Sequence, residues 1–241
     1  MTEILALQGV SKSYGSLLVT DNLTLALNQG EALGIIGPNG AGKTTMFNLI
    51  SGNVQPDQGF VHFLGREISR LAPAARCKAG IGRTYQIPHP FGGMTVFENL
   101  LVGAMFGAGL PESAGAKLAM GVLETTGLAA KANKLAGGLT LLDRKRLELA
   151  KALATSPKLL LLDEIGGGLT EHEVHDLIGI IKSIRASGVA IIWIEHVVHA
   201  LLAVVDRLAV INFGRLLAEG EPAAVMANPE VQAVYLGVEA A

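Results

Sequence analysis

The spacing of apolar positions changes along this chain, and the changes divide it into segments. Residues 4–10 and 23–27 alternate apolar and polar with the two-residue period of half-buried strands, separated by the turn-rich stretch 11–15. Residues 32–36 form a short continuous apolar run, followed by a glycine-rich loop and a helical stretch at 45–50. A turn bearing Pro56 and Gly59 leads into a further strand at 60–64. From about residue 88 to residue 156 the period becomes helical, with predicted helices at 95–105, 112–126 and 142–155. Beyond it, the runs 159–162 and 189–194 are continuously apolar, as central parallel strands covered on both faces should be. Residues 171–186 then read as the crossover helix between them, and 207–213 with 215–218 as a hairpin turning at Gly214. The pattern predicts an α/β protein with a helical segment inserted in its middle.

Composition narrows the classes. A chain of 241 residues forms one large or two small domains and buries a substantial core. Half of it is hydrophobic, only 17% is charged, and the mean hydropathy is +0.43, which predicts either a large core or a buried partner interface. The longest uninterrupted apolar stretch, residues 100–110, contains three glycines and falls well short of the roughly twenty residues a spanning helix requires. The chain is therefore not expected to cross a membrane by itself. Its first residues place Glu3 early and alternate, so no secretory leader is expected. Cys77 is the single cysteine, which excludes an internal disulfide and fits a reducing compartment. A net charge of −2 supplies no basic footprint for nucleic acid.

The loop behind the apolar run 32–36 carries the chemistry. Gly37, Pro38, Asn39, Gly40, Ala41, Gly42, Lys43 and Thr44 fit the phosphate-binding pattern G-x-x-x-x-G-K-[ST], set between a predicted strand and a predicted helix beginning at Thr45. The glycines let backbone N–H groups curl round phosphate oxygens, and the helix directs its positive end at the same point. Lys43 adds a full charge beside the β- and γ-phosphates, and the Thr44 hydroxyl is a magnesium ligand candidate. Residues 159–162 end in two adjacent carboxylates, Asp163 and Glu164. In phosphate-loop enzymes the first such acid holds Mg²⁺ and the second polarises the attacking water. The strand 191–194 leads into Glu195 and His196, which places that histidine where it could contact a γ-phosphate.

The order of these motifs resembles the ATPase subunit of an ABC transporter, over nearly the whole chain. The resemblance implies a P-loop NTPase core with a mostly parallel sheet, an N-terminal antiparallel β subdomain and an inserted α-helical subdomain. Residues 1–87 and 157–241 would form the nucleotide-binding core with a C-terminal arm, and 88–156 the helical insert. By the same resemblance Tyr14 stacks on adenine, and Gln86 touches magnesium and senses a membrane partner. Glu164 is then the catalytic carboxylate and His196 the switch histidine, with ATP and Mg²⁺ bound. Two stretches resemble the branched-chain amino-acid importer group and its relatives, including the lipopolysaccharide-export ATPase. One runs from Thr84 through Gln86 to Ala104, and the other includes Gly214, Pro222, Pro229, Tyr235 and Gly237. The implied partners are transmembrane permease subunits, a second ATPase forming a homo- or heterodimer and, indirectly, a solute-binding protein. The implied location is peripheral, on the cytoplasmic face of a bacterial inner membrane.

One motif departs from the family. Its signature, Leu-Ser-Gly-Gly-Gln, aligns with Leu139, Thr140, Leu141, Leu142 and Asp143. Thr140 keeps a hydroxyl at a helix start, but Leu141 and Leu142 carry side chains where close backbone approach to a phosphate wants none. Asp143 either sets negative charge near a phosphate or caps its helix. Ile165 and Thr170 also replace the usual proline and aspartate. These departures predict a chain whose own nucleotide pocket is complete but which serves its partner's pocket poorly. A subgroup variation that keeps both sites working, or a regulatory module with weak hydrolysis, are the alternatives.

Overall fold

The computed structural model describes residues 2–236; Met1 and residues 237–241, Gly237 of the C-terminal resemblance among them, lie outside the described residues. Two sheets form the body. The first is four-stranded and antiparallel, in the order β2-β1-β4-β5, from β1 (Glu3–Tyr14), β2 (Leu17–Asn28), β4 (Gln58–Phe63) and β5 (Arg66–Glu67). The second has six strands in the order β10-β9-β3-β8-β7-β6, comprising β3 (Ala32–Ile36), β6 (Ile81–Arg83), β7 (Leu159–Asp163), β8 (Ala190–Ile194), β9 (Arg207–Asn212) and β10 (Arg215–Gly220). All its pairings are parallel except that of the edge strand β10 with β9.

Every residue of β3, β7 and β8 is buried, because both faces of the parallel sheet are covered. One face packs Ile35, Leu161 and Ile192 against Leu5, Leu7 and Leu25 of the antiparallel sheet, with Met46 and Phe47 of α1 (Lys43–Ser51) between them. The other packs Leu160 and Trp193 against Leu177 and Ile181 of α6 (Glu171–Ala186), the crossover from β7 to β8. A separate core joins Val96 and Leu100 of α3 (Val96–Val102), Ala119 and Leu123 of α4 (Glu112–Thr125), and Leu147 and Ala150 of α5 (Leu141–Ala154).

The expected elements recur with instructive differences. Residues 11–14 are strand, not turn: β1 runs through them on register shifts around Val10 and Lys12, and only Gly15 and Ser16 make the turn. Bulges interrupt the two-residue alternation there, so polar Ser11 to Tyr14 do not read as strand. Helix 95–105 ends as α3 at Val102 and continues as a π-helical turn, Gly103–Gly107, where Gly103 packs against Ala154 of α5. The pattern also misses α2 (Pro73–Ala79) and β6. Proline at the first turn of α2 and Gly80 in the left-handed conformation after it are a start and a stop signal that periodicity over seven residues cannot supply. Short helices α7 (Val198–Leu202), α8 (Pro222–Met226) and α9 (Pro229–Leu236) complete the described residues.

Candidate active site

The candidate residues gather at the carboxyl ends of β3, β7 and β8, where open parallel sheets place their ligands. The loop 37–42 leaves β3 and enters α1 at Gly42, which is left-handed and provides no side-chain cap, so the first N–H groups of α1 have no side-chain acceptor there. Two glycines are forced by close approach. A Cβ on Gly37 would stand 2.1 Å from the Ile211 carbonyl oxygen, and one on Gly42 would stand 2.6 Å from that of Val19. Gly40, at φ 79°, faces open space. Asn39 and Gly40 are exposed, Thr44 is exposed at the first turn of α1, and Ala41 and Thr45 are buried beneath the loop.

Lys43 is buried, and its Nζ donates to the carbonyls of Gly37 (2.6 Å) and Pro38 (2.9 Å). Burial lowers its pKa, while the carboxylates of Glu164 and Asp163 act to raise it. A buried cation held by two loop carbonyls beside an uncapped helix start fits an anionic phosphate. For magnesium, Thr44 and Asp163 are oxygen donors of the kind a site shared with substrate phosphates uses. Burial raises the Asp163 pKa above its ordinary value, opposed by the adjacent Arg83 guanidinium. Both facts fit a carboxylate that a bound cation would stabilise in its charged form.

Glu164 is the geometric centre. Its Oε1 lies 2.9 Å from His196 Nε2 and its Oε2 accepts from Gln86 Nε2 at 2.5 Å, so three residues from three strand ends meet on one carboxylate. Glu164 also adopts φ 46°, a left-handed backbone that costs a non-glycine residue roughly 1–2 kcal/mol. Its N–H donates to the Ile194 carbonyl (2.9 Å), which fixes the conformation from the β8 side. Gln86 thus faces Glu164, and the structure gives it no bond to Asp163.

Tyr14 is half exposed at the β1–β2 turn, with Lys12 Nζ 5.9 Å from its ring centroid. Asp57 ties that end of β1 down, accepting from Lys12 Nζ at 2.6 Å and from Ser13 N–H at 2.7 Å. The same hairpin reaches the phosphate loop through Val19, whose carbonyl crowds Gly42 and Gly214.

Thr140 stands apart, as the cap of α5. Its hydroxyl donates to Asp143 Oδ2 (2.9 Å) and accepts from the Asp143 N–H (3.3 Å), while Lys131 Nζ reaches the same Oδ2 at 2.5 Å. Asp143 is buried; although burial alone would raise its pKa, Lys131 and Thr140 hold it below the usual carboxylate value. Of the two roles open to Asp143, the geometry is that of the cap, its charge turned inward to Lys131. Leu141 is exposed on the outer side of that turn.

Three functional neighbours escaped the sequence reading. Arg83, at the end of β6, donates to Asn48 Oδ1 (2.7 Å) and Ser51 Oγ (3.0 Å) on α1 and to Asp163 Oδ2 (3.0 Å). Glu195, fully buried, accepts from Gly166 N–H (2.6 Å) and His196 N–H (3.0 Å), and burial pushes its carboxyl pKa up. Lys145 of α5 reaches the carbonyls of Gln86 and Glu164. One signal was available in the chain, the charges at positions of α5 that its period turns inward; Arg83 lies in the unread strand β6 and Glu195 just past the end of β8.

Beside this site a groove of about 350 Å³ runs between α2–β6 and α3–α5, lined among others by Cys77, Arg83, Tyr85, Phe91, Asn99 and Lys151. Asn99 shapes its rim, accepting from Phe91 N–H (2.8 Å) and donating to the Phe91 carbonyl (3.2 Å). Ile87 and Phe91 project from that loop, 68% and 51% exposed. Among the described residues no helix is long and apolar enough to cross a membrane.

Comparison with known proteins places this geometry. A family described as ABC transporter matches residues 20–166, and one described as branched-chain amino acid ATP-binding cassette transporter matches residues 215–241. The chain is 36% identical to the high-affinity branched-chain amino acid transport ATP-binding protein BraF of Pseudomonas aeruginosa, across 97% of this chain and 98% of the relative. It is 35% identical to the lipopolysaccharide export system ATP-binding protein LptB of Haemophilus influenzae, across 97% of each. Among solved structures, the ADP conformation of an ATP-binding cassette from an ABC transporter superposes with a TM-score of 0.90 at 32% identity, covering 99% of this chain and all of the other.

Proposed function

The chain belongs to the ABC transporter family as an ATPase subunit, and from that premise we propose that it powers uptake of branched-chain amino acids or related small solutes through a membrane permease. The match of residues 215–241 to the branched-chain family supports this reading over lipopolysaccharide export, although a relative of the export type is about equally similar. The observation that carries the mechanism is the convergence of Gln86 and His196 on the two oxygens of Glu164, beside a buried Lys43.

In this mechanism Tyr14 stacks on the adenine, and the loop Gly37, Asn39, Gly40, Ala41, Gly42 with Thr44 and Thr45 wraps the phosphates. Lys43 exchanges its two carbonyl partners for phosphate oxygens, a stronger charge-assisted contact. Thr44 and Asp163, with Gln86 nearby, would hold magnesium, which neutralises charge on the phosphates when bound. Glu164 orients and polarises a water whose oxygen forms a bond to the γ-phosphorus. The bond from that phosphorus to the bridging oxygen breaks, and its electron pair leaves with ADP. The proton of the water passes to Glu164 or to a phosphate oxygen. His196 and Gln86 fix the two carboxylate oxygens in place, so positioning supplies much of the rate.

Residues 88–156 act as the inserted helical subdomain, and the segment 87–93, with exposed Ile87 and with Phe91 lining the groove, receives the permease on the cytoplasmic face of the membrane. A solute-binding protein delivers the cargo from the other side. The partner in the ATPase pair is a second subunit carrying the better signature motif, because Leu141 and Leu142 put side chains at the start of α5 where a phosphate would need close backbone approach, and Asp143 is committed to capping it. The test is reconstitution of the chain in proteoliposomes with a candidate permease, second ATPase and binding protein from the same organism. The expected result is leucine-stimulated ATP turnover with leucine accumulation. Turnover stimulated by another solute, or by lipopolysaccharide alone, would replace the cargo assignment.

A further inference from the structure

We propose that Lys145 is a positioning residue for the Glu164 carboxylate, tying the backbone of that residue to α5 and to the Gln86 loop. Lys145 is buried, and its Nζ donates to the Glu164 carbonyl at 3.1 Å and to the Gln86 carbonyl at 3.2 Å. A buried lysine normally meets a carboxylate directly; this one spends its hydrogen bonds on two carbonyls of residues whose side chains touch each other. The charges facing it are the carboxylates of Glu195 and Glu164, and burial lowers its pKa against their pull.

The backbone of Glu164 explains why such a tether matters. Its left-handed conformation persists only if the surroundings over-determine it. Ile194 accepts its N–H, and the Gly167 N–H reaches its carbonyl weakly at 3.3 Å. Lys145 is the side chain that fixes the carbonyl. Without the tether, rotation about this peptide swings the carboxylate away from Gln86 and His196. Because Lys145 extends from α5, whose first turn is capped by Thr140, the angle of that helix sets the position of Glu164.

The inference rests on Glu164 being the carboxylate that acts on water, so Glu164→Gln is measured alongside. In the assembled transporter, Lys145→Met should lower kcat about ten- to a hundredfold, the range a displacement of about 1 Å produces, with KM for ATP and the affinity of the isolated chain for a fluorescent ADP analogue within about twofold. Lys145→Arg should recover most of the loss, and Lys145→Met added to Glu164→Gln should cost nothing further. If Lys145→Met does not fold, Lys145→Gln, a shorter neutral donor, is read in its place. A Glu164→Gln enzyme that still turns over overturns the role of Glu164. A dead Glu164→Gln with an unaffected Lys145→Met overturns the tether alone. Equal losses of turnover, nucleotide affinity and melting temperature make Lys145 a structural lysine and also overturn it.

Discussion

Replacing Arg83 by methionine tests whether Asp163, the acid proposed to hold magnesium, is electrostatically prepared. The guanidinium is buried between the rings of Phe47 (5.5 Å to its centroid) and Tyr85 (4.9 Å), and it pairs with Asp163 where both side chains are less than a tenth exposed. Methionine keeps most of the stem between the rings, but it deletes the bonds to Asn48, Ser51 and Asp163. Removing one partner of a buried pair costs about 3–5 kcal/mol, because the other charge is left uncompensated. For a chain of this size about 4 kcal/mol corresponds to a melting temperature lower by roughly 8–16 °C. The pH dependence follows from the sign of the Asp163 shift. Its pKa is already raised from the ordinary 3.8, so its contribution to stability is present below that value and is lost as pH rises through the folded-state pKa. Without Arg83 that pKa rises further and the loss grows. As pH is lowered and Asp163 takes up its proton, the deficit should shrink toward about 1–3 kcal/mol, the cost of the Asn48 and Ser51 bonds. Urea unfolding of the nucleotide-free protein in chelator, at pH 4.5 and pH 7, measures both. Adding Asp163→Asn should restore part of the stability at pH 7. A deficit below about 1 kcal/mol at pH 7, or one that does not change with pH, would refute the reasoning.

Other expectations concern the remaining parts. Gly37→Ala drives a Cβ to 2.1 Å from the Ile211 carbonyl oxygen, so nucleotide affinity measured by fluorescent-analogue titration should fall at least about a hundredfold; near-normal affinity would mean that the loop adjusts. Thr140→Ala with Asp143→Asn removes a helix cap and should lower stability by about 1–3 kcal/mol while reducing turnover of the assembled transporter far less than Glu164→Gln does. Equal losses of turnover would remove the asymmetric-pair proposal. Phe91→Asp puts charge on the groove rim and should abolish solute uptake in proteoliposomes while leaving nucleotide affinity unchanged. Normal uptake would place permease docking elsewhere.

What could be read from the sequence depended on how local its cause was. The placing together of the phosphate loop, Asp163, Glu164 and His196 was legible because short strand runs end on the same side of the parallel sheet, and α6 was legible to the residue from its apolar period; its Thr170 cap emerged only in the structure. Membership of the ABC transporter family was legible from the order of those motifs. Strand β6 and helix α2 were not, since three and seven residues hold too little periodicity and β6 exists through its pairing with β7. Arg83, Lys145 and Glu195 were hidden for a related reason: each acts through partners about 20 to 80 residues away, and only the folded sheet brings them together. The two possible roles of Asp143 separated only when Lys131, twelve positions earlier, was seen to meet it.

The central claim is that Glu164, gripped by Gln86 and His196, drives hydrolysis in a pocket that this chain completes for itself except for what its partner supplies in trans. Single-turnover ATP hydrolysis by the assembled transporter, compared with Glu164→Gln in this chain alone, tests it most directly. The account requires rapid turnover in the unaltered complex and a loss of at least about a hundredfold in the variant, with nucleotide affinity retained. Undiminished turnover in the variant would contradict it and move the working site to the second ATPase.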